Sequence, residues 1–192
     1  MNDFIFYFKM GLFHVLDFKA YDHILFLIVL SVVYQFKQLQ KVIWLITLFT
    51  IGHSITLALS AYGALNIKVD FVEFLIPLTI FITGLFNLLT AKKASLGKDN
   101  QNLFFTLFFG LIHGLGFSNY FKTIIGKTKN KLLPLLEFAL GVEVAQIIIV
   151  IGILIINLLL KSVFGVNRRD WILVCSSIVM GFALQMMFNR IF

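Results

Sequence analysis

Six stretches of this chain read as helices that cross a bilayer, and that leaves few folds open to it. A spanning helix needs about 20 mainly apolar residues, and at membrane depth only structures that satisfy their own backbone groups survive. The stretches fall at 22–36, 42–63, 70–91, 103–121, 133–160 and 170–190. The expected fold class is all-α: a polytopic membrane helix bundle of about six transmembrane helices, forming a single integral membrane domain over 1–192. Residues 1–21 are also apolar, but Lys9, His14 and Asp17 interrupt them. They are expected to form a re-entrant or interfacial helix rather than a seventh span. Composition agrees, because 60% of the residues are hydrophobic where a soluble domain has about 45–50%.

The formal net charge is +7, yet the basic residues occupy short connectors and form no patch or stripe. That pattern excludes nucleic-acid binding and makes lipid headgroups the expected partner of the loops. Lys37, Lys41, Lys92, Lys93, Lys98, Lys161, Arg168 and Arg169 fall on one face, here called side A. Lys9, Lys19, Lys68, Lys122, Lys127, Lys129, Lys131 and Arg190 fall on the other, side B. With eight on each face, the positive-inside rule leaves orientation open. A single cysteine, Cys175, excludes an intramolecular disulfide and a thiolate cluster. Asp3 and Lys9 disrupt any signal-peptide pattern, so the N terminus is expected to stay on the protein.

The chemistry is concentrated in four histidines: His14, His23, His53 and His113. Each sits in strongly apolar sequence, where an ionisable group is costly and is read as functional. Threading the spans up and down gathers them, with Asp22, Glu73 and Glu143, between the midplane and side B. Imidazole is the commonest metal-ligating side chain. A buried metal site formed by His14, Asp22, His23, His53, His113 and Glu143 is therefore expected, with Asp17, Ser54, Glu73 and Gln146 in support around it. Each group has a plainer reading. Asp22 can cap the first helix, while Glu73 and Glu137 lie close enough to water to face headgroups. The phenylalanines read as lipid-facing filler. Nitrogen and oxygen donors without thiolate suit nickel, cobalt or zinc, and the set does not separate them. Gly110 and Gly114 form a small-xxx-small pair suited to close helix packing.

At these same residues the chain resembles the HupE/UreJ family of small integral membrane proteins. The likeness runs through Gly11-Leu-Phe-His14, Asp22-His-Ile-Leu-Phe-Leu27, Phe49-Thr-Ile-Gly-His-Ser54, Val72-Glu73, Phe109-Gly-Leu-Ile-His-Gly-Leu-Gly-Phe-Ser118 and Gly141-Val-Glu-Val-Ala-Gln146. The family is associated with hydrogenase and urease gene sets, and the resemblance implies a nickel or cobalt permease in a bacterial inner (cytoplasmic) membrane. The nickel-permease branch carries a His-x5-Asp-His pattern, whereas seven residues separate His14 from Asp22 here. That branch also has a glutamate shortly after its His-Gly pair, and Leu115-Gly-Phe-Ser-Asn-Tyr120 contains no acid. The chain is thus more similar to the second, less characterised branch.

Three functions remain open from the residues. The first is transport of a divalent transition-metal ion through the His/carboxylate site. The second is an intramembrane zinc-dependent hydrolase or acyl transferase using the same cluster, and the third is a metal-binding accessory membrane protein. Six spans in 192 residues make a thin wall around a pore, which keeps a homo-oligomer in view.

Overall fold

Apolar residues on every face and a length of 22 residues or more define the longest helices, and the computed structural model shows them as such. It describes residues 3–17, 21–65, 68–92, 99–126 and 130–191. Among the described residues seven α-helices follow one another: α1 Asp3–Leu16, α2 Asp22–Ser31, α3 Leu39–Ala61, α4 Val69–Thr90, α5 Asp99–Ile125, α6 Leu132–Phe164 and α7 Arg168–Ile191. A 3-10 turn, Phe36–Gln38, leads into α3. No β-strand occurs among the described residues. Lys19, Lys93, Lys98, Lys127 and Lys129, which entered the charge balance, lie outside them, as do residues 18–20 of the N-terminal segment.

Five helices, α3 to α7, are long and apolar enough to cross a membrane, and the chain is an integral membrane protein. The stretch at 22–36 departs from expectation. Its helix α2 has ten residues, about 15 Å at 1.5 Å per residue, half of a hydrocarbon core about 30 Å thick. It touches α1, α4, α6 and α7 and buries His23, Leu25, Phe26, Leu27, Val29, Leu30 and Ser31. A helix that is apolar all round belongs inside a structure, and α2 is the central rod of this one.

A helix ending inside a membrane leaves its last carbonyls without partners. Side chains from three other helices supply a donor to one of these and to two carbonyls just past the helix end. Asn87 of α4 donates to the Val29 carbonyl at 2.7 Å. Arg168 of α7 donates to that of Val33 at 2.9 Å, and Asn157 of α6 to that of Tyr34 at 3.2 Å. At the other end Tyr21 occupies the cap position. Asp22 is the first helical residue, and its carboxylate accepts the His23 backbone N–H at 2.8 Å.

Two glycine crossings draw the helices together. A Cβ on Gly11 would lie 2.1 Å from the Phe138 carbonyl oxygen, and one on Gly141 equally close to that of Phe8. Helix α1 therefore packs backbone to backbone on α6. Helices α3 and α5 meet the same way: a Cβ on Gly110 would lie 2.3 Å from the Phe49 carbonyl, and one on Gly114 would lie 2.4 Å from that of His53. The Gly110/Gly114 pair thus serves the packing role read from the sequence. It also sets the helix bearing His53 against the one bearing His113.

Candidate metal centre

Helix ends and helix middles converge on one point. The last turn of α1 brings His14 and the first turn of α2 brings Asp22 and His23. Helix α3 supplies His53 about 12 Å from its side-B end and α5 supplies His113 about 18 Å from its own, at 1.5 Å per residue. Ring centroids lie 4.6 Å apart for His14–His23, 5.6 Å for His14–His53, 5.9 Å for His23–His53 and 5.4 Å for His23–His113. Two groups could each hold a metal ion: His14, His23 and His53, and Asp22, His23 and His113. Within each group, one donor atom per residue lies within 4.8 Å of the others. His23 belongs to both.

The hydrogen-bond inventory points the same way. His14 Nε2, His23 Nε2, both ring nitrogens of His53 and His113 Nδ1 are buried without a partner. Buried polar atoms are nearly always paired, and each exception calls for an explanation. The ring nitrogens that do have partners define tautomers. Thr79 donates its hydroxyl proton to the Ile76 carbonyl at 2.7 Å, so its oxygen, 3.2 Å from His113 Nε2, accepts from that nitrogen. The His113 lone pair then resides on Nδ1, the unpartnered atom. Likewise His23 Nδ1 lies 3.0 Å from Asp22 Oδ1, and a carboxylate only accepts. The lone pair of His23 is then on Nε2. A carboxylate behind a ligating histidine is a recurrent metal-site arrangement that fixes the ring and raises its basicity.

The phenylalanines are not all lipid-facing filler. Phe26, Phe49 and Phe138 are buried and surround the imidazoles. Phe117 lies 4.0 Å from His14, Phe138 6.1 Å from His53, and Phe26 and Phe49 5.2 and 5.1 Å from His113, between ring centroids. Phe4, Phe13, Phe104, Phe105 and Phe188 do face outward. Thr79 also belongs to the site, beside His113. It stands ten residues into α4, about 15 Å from side B, and a depth comparison with His113 is the signal that finds it.

Glu143 does not join the histidines. Its oxygens accept from Thr47 and Thr50 of α3, both at 2.5 Å, and Gln146 belongs to that same group through Thr50 at 2.9 Å. Ser54 makes no hydrogen bond to the cluster among the described residues. Glu73 pairs with Arg190 at 2.6 Å. Asp17 is exposed, and Glu137, expected to face headgroups, is buried.

A cavity of about 740 Å³ opens over the cluster. His14, Asp22, His23 and His113 line it along with Lys9, Asp17, Glu73, Tyr120 and Arg190. Glu73 and Arg190 stand at the side-B ends of α4 and α7, so the cavity leads to that face. A second cavity, of about 130 Å³, is lined by Phe26, Phe109, Thr83, Asn87 and Thr106 in the A half. Phe26 and Phe49, stacked at 4.8 Å, both pack on His113, and Phe26 also walls the smaller cavity. The site can bind a small cation through neutral imidazoles and one carboxylate, and it is reached from one side.

A family model described as HupE / UreJ protein matches residues 1–190. No curated protein and no solved structure matches the chain.

Proposed function

The chain belongs to the HupE/UreJ family, and from that premise we propose that it is a permease carrying a divalent transition-metal ion through the His/Asp cluster. The observation that carries the reading is the convergence of buried, unpartnered imidazole nitrogens from four helices beneath a cavity open to side B. The donor set suits nickel, cobalt or zinc. The family's association with nickel and cobalt supports the first two as cargo, and a bacterial cytoplasmic membrane as the location. The ion enters from side B through the cavity that His14, Asp22, His23 and His113 line, and loses water as it moves between the two groups that share His23. Phe26 and Phe49 close the way to the smaller cavity in the A half, so the arrangement suits a transporter open to one side.

Uptake of radioactive nickel into proteoliposomes tests this. Wild-type protein should accumulate the ion and His113→Ala should not; uptake by His113→Ala at the wild-type rate ends the proposal.

One observation favours a second reading. Six waters around an ion occupy about 180 Å³ at 30 Å³ each, far less than the 740 Å³ of the side-B cavity. That volume falls in the range of small-molecule sites. A zinc ion on three protein ligands would leave a position open for water and activate it for hydrolysis or acyl transfer. Tightly held zinc with no flux into liposomes would favour this enzyme over the permease.

A further inference from the structure

The Glu143 cluster lies apart from the metal centre and has its own chemistry. Five atoms meet there, and all are oxygens: Thr47 Oγ1, Thr50 Oγ1, both carboxylate oxygens of Glu143, and Gln146 Oε1. Gln146 and Thr50 are buried. Thr50 precedes His53 by three residues on α3, about 4.5 Å along the axis towards side A.

The protons do not suffice for the acceptors. The Thr50 oxygen lies 2.5 Å from Glu143 Oε2, 2.9 Å from Gln146 Oε1 and 3.1 Å from the Ile46 carbonyl, yet a threonine hydroxyl has a single proton to give. The Gln146 side chain, fully buried, points its oxygen into this group while its Nε2 has no partner. Glu143 has no cationic partner among the described residues. The two threonine hydroxyls are the donors of this group among the described residues, and a carboxylate buried inside a membrane calls for a positive partner.

We infer that Thr47, Thr50, Glu143 and Gln146 form a second cation site, built for a hard monovalent ion such as sodium. Oxygen donors without imidazole or thiolate select hard cations over nickel or zinc. One carboxylate neutralises one charge, whereas a divalent ion would leave a net positive charge in low dielectric. The site sits between α3 and α6, and α3 also carries His53. Sodium here would hold Thr50 and thereby the helix that presents His53 to the metal. That coupling rests on the permease reading; the binding itself does not.

The test uses purified full-length protein in detergent, with sodium chloride exchanged for choline chloride at constant ionic strength. For the wild type, the thermal unfolding midpoint should rise by about 3–6 °C for each tenfold increase in sodium above the dissociation constant. Glu143→Gln and Thr50→Val should lose that rise while still binding nickel at the histidines by calorimetry. Thr50→Ser, which keeps the hydroxyl, should retain it. Equal midpoints in sodium and choline for the wild type, or a sodium response that survives in Glu143→Gln, overturns the site. A midpoint that follows pH and ignores sodium also overturns it, since the cluster then takes a proton. In proteoliposomes, nickel flux driven by a sodium gradient supports the coupling, and flux indifferent to sodium removes it. Sodium-dependent stabilisation without any nickel flux leaves this site standing and removes the permease.

Discussion

His113 and His23 show how single side chains acquire a direction. Both are buried in apolar surroundings, and in each a neighbouring oxygen decides which nitrogen keeps its lone pair. Outer partners of this kind typically influence metal affinity by about 10–100-fold. Thr79→Val should therefore weaken nickel binding at least tenfold, read by calorimetry, with the thermal midpoint little changed. Unaltered affinity would show that Thr79 does not orient the ring. The four histidines were visible in the sequence because a polar residue in a long apolar run has few reasons to be there. The partners of Glu143 were not. A residue of known depth still has an unknown bearing around its helix axis, and on α6 that bearing sends Glu143 towards Thr47 and Thr50 rather than towards His53. Thr79, one of several hydroxyls spread along the spans, stands out only when its depth is compared with that of His113.

At the scale of helices, the two shortest do most to create the site. Both α1 and α2 break at the cluster, so the C-terminal end of one and the N-terminal end of the other face it. A helix C terminus carries partial negative charge, which favours a cation beside His14, and Asp22 counters the positive end of α2. The contact of α1 with α6 leaves no room for a side chain at Gly11 or Gly141. Gly141→Val should force α1 away from α6, costing about 1–3 kcal/mol of stability and displacing His14. Denaturant unfolding and nickel binding would both report it; a variant with wild-type values in both would refute the crossing. The long helices were legible from length and hydropathy. The brevity of α2 was not, because Val32, Val33 and Tyr34 continue the apolar run past the helix end. The features that end it, donors on Asn87, Asn157 and Arg168, lie far away in the sequence.

For the whole molecule, the half towards side B is open and polar and the half towards side A is closed by aromatic rings. The sequence indicated that asymmetry through the depth of its ionisable groups, though not the cavity or the rings that express it. Metal binding by imidazole expels protons, so affinity must fall as the solution is acidified. The limiting dependence is about three protons per ion for His14, His23 and His53, and about two for Asp22, His23 and His113. Calorimetry across a pH series would tell the two apart, and an affinity independent of pH would exclude imidazole ligation. His23 serves both groups, and two dications sharing one imidazole at such short range would repel each other strongly. Saturation should accordingly stop at one nickel per chain in elemental analysis, and two would contradict the shared ligand. A traveller that must release one hand before the next hold is free keeps at least one grip throughout. Each newcomer at the mouth therefore has to wait, or push its predecessor onward.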